Sequence, residues 1–229
     1  MSILPSAKPL LFMLCLVASA AMAVSLDDLS NQEATSGLKA ALEKGAVSAV
    51  AKLGVRDGFL NNEKVRISLP PILEQARPVL KMTGRGQQLD ELVVSMNRAA
   101  EAAVPMAKPL LLNAIKSMSV ADAKQILTGG DTSVTDFFRA KTSAQLSTTF
   151  LPVVKKVTDR SSLSAQYNSA MGQIARLGVG SKESTVEEYV TQRALDGLYT
   201  MIAEEEKAIR RDPLGTGSKI IGKVFGALR

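Results

Sequence analysis

Residues able to do chemistry are scarce in this chain, and their types already exclude most of it. There is no His, and the one Cys, Cys15, lies in the apolar run at the N-terminus. Zinc hydrolysis, Ser-His-Asp and Cys-His nucleophilic sites are therefore excluded, and only carboxylates, Lys, Tyr and Ser could carry catalysis. Metals taking oxygen ligands alone would remain, but no spaced Asp loop occurs, so neither a metal nor a cofactor is expected. The carboxylate that stands out is Glu205. At about 100° per residue, Val186, Val190, Ala194, Leu198, Met201, Ile202 and Ile209 form one apolar stripe, and Glu205 falls near its middle, whereas Glu204 and Glu206 point elsewhere. A carboxylate in an apolar seam must find a cation or hydrogen-bond donors, or stay protonated. One reading is a structural ion pair with an Arg or Lys of another helix. The other is an acid/base or ligand-anchoring role with Asp196, Tyr199 or Lys141 as partners.

A second polar group, Asn97, Arg98 and Glu101, sits on the flank and far side of its own helical pattern, with Arg98 and Glu101 spaced to pair at i,i+3. Arg56, Lys64 and Arg66 lie in a segment rich in turn signals and could form an anion-facing rim, although a solvated connection is the plainer reading. Glu205, Asn97, Arg98, Glu101, Arg56 and Arg66 thus make the candidate ligand-binding set. Asp136 is spaced from Ser133 as a helix cap rather than as an acid.

The elements that must position these groups read as helices almost throughout. Ser184 with Glu187 opens the clearest of them as a capping box, and Arg210, Arg211 and Pro213 close it, giving a rod of roughly 40 Å. Gly197 on the edge of its stripe would let another backbone approach. Asn31 to Leu53 is a helix ended by Gly54, with Gly37, Ala41, Gly45 and Ala49 as a line of small residues suited to close packing. Residues 56–71 form the non-helical segment, an ordered loop in which Val65, Ile67 and Leu69 alternate as a short strand would. Further helices are expected over Pro71 to Lys81, Gln87 to Val104, a stretch to about Met118, Ser119 to Leu127, a segment from Ser133 interrupted around Pro152, and Ser162 to Leu177. The fold class is therefore all-α: a single-domain multi-helix bundle over 24–213 with one ordered non-helical loop and a short amphipathic C-terminal helix.

Both ends carry further signals. Lys8, the apolar run Leu10 to Ala21 and Ala21-Met22-Ala23 make a secretory signal peptide over residues 1–23, cleaved before Val24. The run is too short to span a membrane, and no small residue precedes Cys15 as a lipid anchor would need. A periplasmic, non-lipidated protein without a transmembrane span is the expectation. After Pro213, residues 214–229 read as a hinge and tail, with Ile220, Ile221, Val224 and Phe225 on one face and Lys219 and Lys223 on the other. That helix could touch an anionic membrane, a partner or its own body. Net charge is +6, one unit less without Lys8. The basic residues are dispersed and aromatics few, which argues against nucleic acid.

The segments GLKAALEKGAVSAV, VRISLPP, SMNRAAEAAVPMAKPLLLNAIKSM, DFFRAKTSAQL, FLPVVKKVTD, QYN and ALDGLYTMIAEEEKAIRRDP occur in this order. Together they resemble the bacterial secreted family catalogued as domain of unknown function 4197. The resemblance implies a mostly helical envelope protein and supplies no activity, substrate or site residues. The functional expectation is a non-catalytic binding or interaction protein for a lipid-like, small hydrophobic or anionic amphiphilic ligand held between helices. The alternatives are a carboxylate-based envelope enzyme and a structural or assembly protein with an envelope partner or as a homodimer.

Overall fold

In the computed structural model the protein is described over residues 30–130, 132–176 and 185–226, with residues 170–176 described by backbone alone. The expected signal peptide, Ser184, the 178–182 link and Arg229 lie outside these residues. The helices are α1 (Asn31–Leu53), α2 (Pro71–Met82), α3 (Gly86–Ala103), α4 (Ala107–Lys116), α5 (Val120–Thr128), α6 (Ser133–Thr158), α7 (Ser162–Arg176), α8 (Val186–Arg211) and α9 (Lys219–Gly226). No strand occurs among the described residues, and the fold is all-α.

The apolar stripe of α8 is the centre of the bundle. Val186, Val190, Ala194, Leu198, Met201, Ile202 and Ile209 are all buried in one continuous core. Around α8 pack α6, α1 and α3; α4, α5 and α9 add a further layer on α1. α6 and α8 run antiparallel, since Arg139 meets Asp196, Thr142 meets Tyr199 and Thr158 meets Glu187. α2 is peripheral: it buries no residue fully and leaves Ile72, Val79 and Met82 exposed.

The small-residue line of α1 is buried in full and receives two different helices. Gly37 lies under Val224 of α9, where a Cβ would come within 2.9 Å of Val224 Cβ, and Gly45 lies 3.4 Å from Glu205 Cβ of α8 on the same basis. Gly197 of α8 likewise admits the non-helical loop: a Cβ there would sit 2.8 Å from the Phe59 ring and 3.2 Å from Val65 Cβ.

Three local expectations are corrected. Residue 133 does not cap α6; the Ser133 hydroxyl donates to Ile126 O, across the junction to α5, and Thr132 takes the cap position without a side-chain bond. α6 is not interrupted at Pro152 but runs through it to Thr158, with neighbouring Thr148 and Thr149 bonding back to the carbonyls of Ala144 and Gln145. Packing of Phe150 and Val154 in the core outweighs the proline's missing donor. α8 opens one residue later than expected, with Thr185 and Glu188 as the capping box. That shift frees Glu187 to turn inward, where it accepts from Thr158 Oγ1 at 3.1 Å and Asn168 Nδ2 at 2.8 Å.

The C-terminal segment docks on its own body. Ile221, Val224 and Phe225 are buried, Lys223 pairs with Glu33 at 2.6 Å, and Lys44 donates to Thr216 O at 2.5 Å. Those three apolar side chains therefore do not form an outward face; Lys219 is exposed and Ile220 half-buried. No helix among the described residues is long and apolar enough to cross a membrane.

Candidate functional site

Of the residues proposed for a site, most turn out to hold the fold. Glu205 is partly buried and meets Lys52 of α1 at 2.5 Å, the structural ion pair with another helix. The buried member of the acidic triplet is Glu206, which pairs with Arg210. Arg210 in turn lies 5.5 Å over the Phe225 ring and reaches Ile126 O, so α5 and α9 cover this side of α8 and bury it. Those covering helices are what α8's own periodicity could not show. Asp196 and Glu205 are nine positions apart, about 180° around the helix, so they face opposite ways. Tyr199 is fully buried and hydrogen-bonded to Thr142 at 2.9 Å; its burial, first of all, raises the phenol above 10.0. Lys141 faces Asp122 at 3.8 Å. The groups proposed for a carboxylate enzyme do not converge on one cleft.

Asn97, Arg98 and Glu101 do come together, as a clasp on the 54–70 loop. Asn97 is wholly buried, not on a flank: its Oδ1 accepts from Ile67 N–H at 2.9 Å, and its amide donates to Ile67 O at 2.8 Å and Val93 O at 2.7 Å. Glu101, also buried, accepts from the N–H groups of Phe59 and Leu60 and from Arg98 at 2.6 Å. Arg98 reaches Asp57 as well, at 2.7 Å, and so steadies a residue whose φ of 70° is unusual outside glycine. The loop contains no strand; the alternation of Val65, Ile67 and Leu69 reflects burial against α3 and α8, with Arg66 and Ser68 left outside. Arg56 is exposed on this loop.

The clasp places Arg66 beside α8, at the edge of a surface that could bind something. One groove, about 250 Å³, lies between the loop and α8 and is lined by Lys64, Arg66, Ser68, Tyr189, Arg193 and Thr200, among others. A larger one, about 760 Å³, lies between α6 and α8. Arg139, Ser143, Ser147 and Leu151 form its α6 wall at four-residue spacing, and Glu188, Gln192 and Asp196 do the same on α8. Arg139 and Arg193 meet at Asp196, at 3.0 and 3.6 Å, and Gln192 donates to the same carboxylate at 3.1 Å. Each guanidinium also lies over a tyrosine ring, Arg139 over Tyr199 at 5.1 Å and Arg193 over Tyr189 at 5.5 Å. Both are thus held in place by π-face and carboxylate contacts while remaining nearly half exposed. Thr191, in the groove lining and only 5% exposed, has a buried hydroxyl with no hydrogen-bond partner among the described residues. Such orphan groups are uncommon in folded proteins.

These grooves are open, the smaller one mainly polar and the larger one mixed polar and apolar, and the interior between helices is filled by the core. No enclosed apolar chamber for a hydrophobic ligand appears among the cavities described, which also include open grooves at α5–α6 and α3–α7. The described residues hold no cluster of His, Cys, Asp and Glu suited to a metal. The two four-residue polar ladders were present in the sequence, but each reads alone as the solvated side of an amphipathic helix. Only the antiparallel pairing of α6 and α8 turns them into facing walls.

The family model described as "Protein of unknown function (DUF4197)" matches residues 28–226. The chain belongs to this DUF4197 family. No curated protein and no solved structure matches it. Membership in DUF4197 agrees with the resemblance drawn from the ordered segments and assigns no activity.

Proposed function

We propose that this DUF4197 protein is a non-catalytic binding protein that holds an anionic, hydroxyl-bearing ligand in the α6–α8 groove. The observation that carries the reading is the pair Arg139 and Arg193, pre-positioned on facing helices above Ser143, Ser147, Thr148, Gln192 and the unpartnered Thr191 hydroxyl. Guanidinium groups fixed in advance lose little entropy on binding a carboxylate or phosphate, and their fork geometry suits both. Hydroxyl and amide groups can donate or accept, which fits a ligand with hydroxyls of its own. A periplasmic location belongs to this reading, supported by the leader pattern of residues 1–23. Catalysis does not, because among the described residues no hydrogen bond in the groove joins a hydroxyl nucleophile to a base.

The test is native mass spectrometry of the protein isolated from its own cells, beside a Ser147→Asp variant. Ser147 is half-buried on the groove wall and outside the core, so the added charge should repel an anion without unfolding the chain. A co-purifying anionic compound that Ser147→Asp releases supports the proposal. A compound that is neutral, or retained equally by both proteins, overturns it.

A further inference from the structure

The two grooves flanking α8 are not independent. Arg193 and Asp196 line both of them, so the exposed ridge of α8 is a shared wall over which one ligand can pass from the α6 side to the loop side. The α6 wall from Arg139 to Leu151 runs about 18 Å, and the α8 edge from Glu188 to Thr200 is about as long. That exceeds what a single small anion occupies.

Charge is spaced along the path rather than concentrated. Arg139 stands on the α6 side, Arg193 on the ridge, and Arg66 with Lys64 on the loop side, interleaved with the carboxylates of Glu188 and Asp196. Lys64 is engaged by Glu204 at 2.5 Å, while Arg66 is exposed and has no ion pair among the described residues. A densely charged chain such as polyphosphate would meet repulsion from the two carboxylates, whereas a chain with one charge per several atoms can align its anions with the cations. Between the cations lie Ser68, Ser143, Ser147, Thr148, Gln192 and Thr200, together with the half-exposed Leu151 side chain. Groups that both donate and accept, beside a patch of apolar surface, match the hydroxyls and C–H face of a sugar ring.

We infer that the ligand is an acidic oligosaccharide of several units, bound across the α8 ridge from Arg139 to Arg66. The inference rests on the binding function proposed above. Linking successive carboxylates on one chain makes the second contact intramolecular, so the oligomer gains affinity that its single unit lacks.

The experiment is calorimetric titration of the full chain with galacturonic acid, tetragalacturonate, the neutral maltotetraose and polyphosphate of matched length. Tetragalacturonate should bind at least ten-fold more tightly than the monomer, and maltotetraose should bind far more weakly. Arg66→Ala should lower tetramer affinity at least five-fold more than monomer affinity, and Arg139→Ala should lower both. If galacturonate binds in an Arg139-dependent way but the tetramer is no better, the inference fails while the binding function stands. If polyphosphate outcompetes tetragalacturonate, the saccharide class is overturned and an anionic site remains. If no anion binds, or Arg139→Ala changes nothing, both readings fail together.

Discussion

Asn97 is the point at which the loop carrying Arg66 is fastened to the bundle, and its removal has a calculable cost. In Asn97→Ala the Ile67 N–H, buried with its residue, loses its acceptor, a penalty of about 1–3 kcal/mol, and the two donated bonds to Ile67 O and Val93 O contribute about 1 kcal/mol each. The expected loss is therefore about 3–5 kcal/mol. With a urea slope of about 2 kcal/mol per molar, the unfolding midpoint should fall by about 1.5–2.5 M. Asn97→Asp provides the sharper comparison. It keeps the acceptor for Ile67 N–H but directs an acceptor-only carboxylate at two carbonyl oxygens, with no cation bonded at that site. At pH 7 it should cost more than alanine, and the gap should narrow as pH falls and the raised carboxyl pKa lets the group protonate and donate again. Urea unfolding followed by circular dichroism at pH 7 and pH 4 measures both effects. An alanine variant within about 0.5 kcal/mol of the parent, or an aspartate no worse than alanine at pH 7, would refute the clasp.

Two further outcomes follow from the junction of α1 and α9. The Glu33 carboxyl, hydrogen-bonded first by Lys223 and then by Ser30, is held at about 2 against 4.5 ordinarily. Because folding lowers the value, this contribution to stability is present above 4.5 and disappears as pH falls toward 2. A carbon-13 titration of Glu33 should give that low midpoint and an upward move in Lys223→Ala; an unshifted midpoint in the parent contradicts the contact. Gly37→Ala should cost about 1–3 kcal/mol through overpacking against Val224 and speed amide exchange in residues 219–226, with partial recovery in Gly37→Ala/Val224→Ala. Parent-like exchange in the single variant would mean that α9 does not rest there.

Periodicity made the helices and the buried stripe of α8 legible, because each residue's face is fixed by local geometry alone. The line Gly37, Ala41, Gly45 and Ala49 likewise announced close packing before its partners were known. What sequence could not supply was which helix covers which face. Glu205 lies near the middle of the stripe and Glu206 about 100° further round, beyond its edge, yet the choice between them was made by α5 and α9, whose placement is tertiary. The same limit hid the candidate site. Asn97, Arg98 and Glu101 were recognisable as a polar group, but a polar group near an apolar face serves a ligand or a backbone equally well, and the 54–70 loop took it. Arg66 was found through the turn-rich segment around it; Arg139, Arg193 and Thr191 gain meaning only when α6 and α8 are set side by side.

The seam of α1 has a consequence for how the protein must be made. Among the described helices α1 is the earliest to be synthesised, yet its small residues close against α8 and α9, the latest. At about 5–20 residues per second, α1 waits on the order of 10–40 s for its partners. Through that interval its Gly and Ala face can meet only transient neighbours, and no early fragment can reproduce the native core. Docking of α8 and α9, rather than any step before it, is then the event that completes the core.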